Sequence, residues 1–200
     1  MELNHKLQGM CEMAGIVRIN IQSDWNSWRI KMSRDLAPTA DKLYRNIFNG
    51  INMPLRSGND SITCTKFEAM SRYDWEEGID CILYFENGTK ATMQEKYLTY
   101  HNSTITFEEN KTSGVPGAWY YCTAQYYFVG YARNYKLNNV FDFQDWILVD
   151  LPAIHRKDAA YELPWKFNRN NKDGSRATFR YLNFGDVPDD CIVAREYNHP

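Results

Sequence analysis

The chain has 200 residues, a formal net charge of −2, and an aromatic content of 15% that includes 14 tyrosines and 6 tryptophans. That length is enough for one domain with a sizeable core. The near-neutral balance excludes a whole-protein basic field as the means of drawing nucleic acid, although a local basic face remains open, and no 18-residue apolar run is present to cross a bilayer.

Taken in chain order, the first predicted element is a helix over residues 39–48. Thr39 can cap it, Leu43, Ile47 and Phe48 form its apolar stripe, and Gly50 follows as a stop. Residues 52–65 contain Pro54, Gly58 and Asn59 and read as loop. A hairpin follows, with arms at 79–85 and 90–98 around Asn87-Gly88. The alternation in STITFE predicts a third strand at 103–108. Pro116 opens a short helix through GAWYYCTAQ, which runs into the apolar strand YYFVGYA at 126–132. WILVDL at 146–151 is a second strand of that buried kind, and ATFRYLNF and CIVAR are late strands about a Gly/Pro turn. The order α-β-β-β-α-β predicts a single α/β domain over 1–200, with a mixed sheet flanked by helices and extra C-terminal strands.

The hairpin carries an unusual polar load. Asp80 stands early in an otherwise apolar strand, GIDCILYF, and a charge there must be satisfied by a partner. On the second arm Gln94 and Lys96 share one face and Met93, Glu95 and Tyr97 share the other. Turn register decides which residue meets Asp80. A three-residue loop with Gly88 in a left-handed bulge sets 80 opposite 94, whereas a two-residue Asn87-Gly88 turn sets 80 opposite 95. The first is favoured, because it leaves Met93 and Tyr97 on the face of Leu83 and Phe85.

Such a set fits metal-assisted hydrolysis of a phosphodiester, which needs a cation near the scissile phosphate and the attacking water. Mg²⁺, with Mn²⁺ as a substitute, takes oxygen ligands: the Asp80 carboxylate, the Gln94 amide oxygen and the Glu95 backbone carbonyl. Lys96 would activate the water and stabilise the transition state. Glutamine in place of an acid gives up one negative charge, so Mg²⁺ binding is expected to be weak.

Asp80 followed by Gln94-Glu95-Lys96 within this order of elements resembles the PD-(D/E)xK nuclease superfamily, which includes restriction endonucleases and Holliday-junction resolvases. Ile79-Asp80 stands in place of the usual Pro-Asp, and Gln94 in place of the acid; Gln-x-Lys variants occur among active members. The resemblance covers roughly residues 39–132 and leaves 133–200 as a C-terminal extension. It implies a restriction-endonuclease-like fold and metal-dependent DNA cleavage with Asp80, Gln94 and Lys96 at the motif positions. A helix acid, Asp41 or Glu68, is a further implied member. A homodimer is expected by analogy, since cutting two strands calls for two sites.

Between His155 and Arg180, seven Lys/Arg stand against three Asp/Glu, a net +4. Arg156, Lys157, Arg169, Lys172 and Arg176 are the candidate contacts to a phosphate backbone. His155 reads as a surface residue, Asp74, Glu76 and Glu77 as a solvated loop with a chance of one outer metal ligand, and Pro188-Asp189 as a turn before the last strand. The WYYCTAQYYFVGY stretch reads as core in preference to a base-stacking platform.

Five cysteines, at 11, 64, 81, 122 and 191, are odd in number and form no C-x-x-C pair. They predict reduced thiols, and with no signal-peptide pattern in MELNHKLQGMCEMAG a cytoplasmic location is expected. The four Asn-x-Ser/Thr triplets are then read as chance. Two other readings stand beside the nuclease: a non-catalytic nucleic-acid-binding or assembly domain of the same fold, motivated by Gln94, and a carbohydrate-binding β-domain, motivated by the aromatics.

Overall fold

The computed structural model describes residues 16–18, 28–48, 77–85, 88–99, 102–111, 114–135, 142–169 and 177–197. In chain order these form β1 (Ile16–Arg18), α1 (Trp28–Ile47), β2 (Cys81–Tyr84), β3 (Lys90–Leu98), β4 (Thr104–Asn110), α2 (Ala118–Tyr121), β5 (Tyr126–Tyr131), β6 (Asp145–Asp150), α3 (Leu151–Ala159), β7 (Lys166–Arg169), β8 (Thr178–Asn183) and β9 (Ile192–Glu196). The expected loop at 52–65 lies outside the described residues.

Helix α1 begins eleven residues before the predicted start. The expectation took Thr39 as the cap, yet Thr39 lies inside the helix, as does Pro38 on its exposed side. Met32, Leu36, Ala40 and Tyr44 recur every four residues and are all buried. Interior proline costs a helix about 3 kcal/mol, and burying a large apolar side chain recovers about 1.5–3 kcal/mol each, so the stripe carries the helix through the proline.

A six-stranded mixed sheet runs in the order β1-β2-β3-β5-β6-β9. The β2–β3 and β5–β6 pairs are antiparallel and β3–β5 is parallel. The parallel step requires a crossover, and β4 and α2 supply it. The predicted order α-β-β-β-α-β holds along the chain as α1-β2-β3-β4-α2-β5. However, β4 leaves this sheet and pairs with β8 in a second sheet of order β4-β8-β7. That pairing is non-local, and no alternation within STITFE can reveal it.

Two apolar layers flank the six-stranded sheet. Cys81, Leu83, Met93, Phe128 and Leu148 face α1. Ile82, Tyr127, Val129, Ile147 and Val149 face Ile105 and Phe107 of β4, Leu182 of β8, Trp119 of α2 and Ile154 of α3. The aromatic stretch is core in the main, as read: Trp119, Tyr127, Phe128 and Tyr131 are buried, whereas Tyr120 is exposed. Helix α3 was not predicted. Its signals were present, because Asp150 caps Ala153 N–H at 2.8 Å and proline stands in the first turn, but the apolar run of β6 flows into LPAI without a break.

Candidate metal and phosphate site

The hairpin adopts the favoured register. Cys81 pairs with Met93 and Tyr84 with Lys90. Phe85 N–H donates to Thr89 O at 2.9 Å, and Gly88 has φ +79°, the left-handed conformation that a bulged turn takes from glycine. Extended by one residue, this register sets Asp80 beside Gln94.

Asp80 sits where β2 stops tracking β3. Its N–H donates to Met93 O at 2.8 Å. The next N–H on that edge of β3, from Glu95, donates to Asp80 Oδ2 at 2.8 Å, so the carboxylate takes the place of a strand carbonyl. Gln94 Nε2 donates to the same oxygen at 2.5 Å. Gly78 shapes the approach: it has φ +62°, and a Cβ there would stand 3.0 Å from Cys122 Cβ. The Cys122 thiol lies 3.3 Å from Gly78 O and 4.0 Å from Gln94 Oε1.

Glu95 divides its roles between the two faces. Its side chain turns to α1, where Tyr44 OH donates to Oε1 at 2.6 Å. Its backbone belongs to the Asp80 edge. Thr92 and Leu98 carbonyls accept from the β5 side and that of Met93 from the β2 side, so the alternation of an extended strand aims the Glu95 carbonyl at the Asp80 edge as well.

Lys96 shares the face of Gln94, and its Nζ donates to Thr106 O at 3.2 Å. Tyr127, the register partner of Gln94, donates its phenol to the same carbonyl at 2.9 Å. Burial, with smaller pushes from Cys122, Tyr131 and Asp80, holds the Tyr127 phenol well above its ordinary pKa, so it stays a neutral donor. Burial likewise pushes the Cys122 thiol up to about 11, with the Asp80 charge adding to the effect; this thiol is no nucleophile at neutral pH. Cys122, Tyr127 and Thr106 reach the site across the crossover and from the second sheet, and the sequence reading did not place them there.

The donor set suits a hard cation. Carboxylate, amide oxygen and backbone carbonyl are the oxygen ligands that Mg²⁺ prefers. The end of Gln94 that stands 2.5 Å from Asp80 Oδ2 is the amide nitrogen, so the ligand oxygen of that amide, Oε1, lies at the other end. Asp80, Gln94, Glu95 and Lys96 are half-buried, so hydrocarbon does not seal the neighbourhood. Among the described residues no three His, Cys, Asp or Glu side chains gather at one point. Asp41 rides on α1, which packs against the opposite face of the sheet; the expected helix acid is corrected to that extent, and Glu68, Asp74 and Glu76 lie outside the described residues. Glu77 engages through its backbone, accepting from Thr123 N–H at 2.8 Å.

Three of the seven cations of the basic segment pair with acids among the described residues. Lys157 bridges Glu162 at 2.8 Å and Asp190 at 3.1 Å, and Lys166 pairs with Asp186 at 3.6 Å. Those two bonds from Glu162 and Asp190 hold the Lys157 ammonium above the usual lysine range. Arg180 is buried, donating to Glu109 at 2.6 Å and Asp158 at 3.2 Å, with its guanidinium 4.5 Å from the Trp119 ring. Arg156 is exposed on α3. Arg169 closes β7, and Lys172 and Arg176 lie outside the described residues. Lys157, Lys166 and Arg180 thus each meet an acid outside the segment, Asp190, Asp186 and Glu109 respectively. His155 is corrected from surface residue to packing partner: its ring lies 4.2 Å from that of Trp119 and is half-buried, and burial lowers its pKa.

Among the described residues, no helix is long and apolar enough to cross a membrane. Comparison with protein-family models, with curated proteins and with solved structures finds no match to this chain.

Proposed function

We propose that this protein is a Mg²⁺-dependent DNA endonuclease with a restriction-endonuclease-like core of the PD-(D/E)xK kind. The observation that carries the reading is the meeting of the Asp80 carboxylate with the Gln94 amide and the Glu95 backbone on a half-buried strand edge, with Lys96 on the same face. The chain order α1-β2-β3-β4-α2-β5 supports it. Asp80, Gln94 and the Glu95 carbonyl would hold the cation, which supplies Lewis-acid stabilisation of a phosphate and acidifies a water. The protein's own share is separate. Lys96 places an ammonium beside the phosphate and offsets negative charge that builds up during displacement. The Thr106 carbonyl accepts from that lysine, and the Tyr127 phenol donates to the same carbonyl. Tyr44 holds Glu95 from behind, which keeps the strand between Gln94 and Lys96 in place.

The test is nicking of supercoiled plasmid with Mg²⁺ or Mn²⁺. Asp80→Ala and Lys96→Ala are each expected to lose about 10²–10³-fold in rate. Cleavage that persists in both variants removes the assignment.

One observation favours a second reading, a non-catalytic nucleic-acid-binding or assembly domain. Lys96 and Tyr127 both donate to a carbonyl of β4, so the lysine also has a structural use. Calorimetry without metal binding, together with salt-sensitive retention of DNA in a gel shift, would select that reading.

A further inference from the structure

The Asp80 carboxylate has only acceptor atoms. The end of Gln94 that stands 2.5 Å from Oδ2 is therefore the amide nitrogen, as the hydrogen bond records. The other end, Oε1, points toward Cys122, with its oxygen 4.0 Å from Sγ. A cation shared by Asp80 and Gln94 demands the reverse arrangement, because only the amide oxygen is a ligand for a hard cation. The two requirements cannot be met by one orientation of the amide.

We propose that the Gln94 amide turns end for end when a divalent cation enters beside Asp80. The inference rests on the metal reading of this pair and adds a two-position device to it. Without the cation, the NH₂ group lies against the carboxylate. With the cation, the carbonyl faces Asp80 and the NH₂ faces Cys122 Sγ, a weak acceptor. The last torsion of a glutamine side chain is broad and roughly two-fold, so the turn needs no new rotamer of the stem. The Glu95 N–H bond to Asp80 Oδ2, at 2.8 Å, holds the carboxylate still in both positions.

The device has a consequence for affinity. Cation binding must displace a charge-assisted hydrogen bond, which weakens it by about ten- to hundred-fold relative to the same pair without that bond. A glutamate at this position has no NH₂ to displace and adds a charge, so Gln94→Glu is expected to bind Mg²⁺ at least about ten-fold more tightly.

The experiment uses the full chain and MgCl₂. Side-chain amide proton–nitrogen NMR spectra are recorded through a titration, with the Gln94 pair of resonances assigned by its disappearance in Gln94→Glu. Calorimetry of both proteins runs in parallel, and near-UV circular dichroism checks that the variant is folded. The expected result is a Gln94 pair with one proton shifted downfield in the absence of metal, which moves to the ordinary amide position along the calorimetric binding curve. Mg²⁺ binding that leaves these resonances unmoved overturns the turn and leaves the metal reading standing. No Mg²⁺ binding by either protein overturns both.

Discussion

Two charged clusters lie under the same face of the six-stranded sheet, and they are built differently. Around Arg180, a buried guanidinium meets Glu109 at 2.6 Å and Asp158 at 3.2 Å, stacks on Trp119, and has Asp158 tied in turn by Trp165 Nε1 at 2.6 Å. Charge meets opposite charge, and large rings close the space. Around Asp80, the two bonds to Oδ2 come from neutral donors, an amide and a backbone N–H, and the residues are half-buried. The first arrangement is architecture: it joins β4, β8, α2 and α3 and has no exchangeable partner. The second holds a carboxylate with an uncharged amide donor, and the proposed turn of that amide would admit a cation.

The sharpest way to break this comparison is to attack the Arg180 cluster. Arg180→Ala leaves two carboxylates without their cation and opens space against Trp119. A buried pair broken on one side costs about 3–5 kcal/mol, so the urea midpoint is expected to fall steeply. A loss below about 1 kcal/mol would place Arg180 among ordinary surface ion pairs instead. Around Asp80, the corresponding removal acts mainly on cleavage, as set out for Asp80→Ala and Lys96→Ala, with a smaller effect on stability.

Gly78→Ala sharpens the comparison from the backbone side. A residue with φ +62° whose Cβ would stand 3.0 Å from Cys122 Cβ forces either strain or a shift of the segment that carries Asp80. The expected cost is about 1–3 kcal/mol with a fall in nicking rate, read by denaturant titration and the plasmid assay. An unchanged rate would show that the position of Asp80 does not depend on this close approach.

The smallest expected effect is a pH dependence at the edge of the Arg180 cluster. Burial lowers the His155 pKa below its ordinary 6.5, partly offset by Asp158. The folded protein therefore favours the neutral ring. That contribution is present above the unfolded pKa and is lost as pH falls from there through the folded one. His155→Phe keeps a ring against Trp119 without a titrating group, so wild type is expected to lose more thermal stability than the variant on acidification from about pH 7.5 to 5. Parallel curves would contradict this.

The hairpin was the legible part. Its register followed from the two-residue period, because a one-residue slip would have moved Met93 and Tyr97 to the wrong face, and Asp80 then met Gln94 by geometry alone. The start of helix α1 was misjudged because a capping threonine is a local signal and the four-residue burial stripe that runs across it depends on tertiary contact. The strand at 104–110 was found, but its sheet was not, since Phe107 pairs with Arg180 far along the chain. For the same reason the acid partners of the basic segment were hidden. Nothing local tells that Arg180 will meet Glu109, or that Lys157 will meet Asp190. Cys122 and Thr106 reached the candidate site through the parallel crossover and the second sheet, which no short-range pattern encodes.

The most direct test is calorimetric titration of the full chain with Mg²⁺ or Mn²⁺, wild type against Asp80→Asn, which keeps the shape of the side chain and removes its charge. One cation per chain, bound by wild type at about millimolar levels for Mg²⁺ and lost in Asp80→Asn, is the predicted result. Equal binding by both proteins, or none by wild type, would contradict the account.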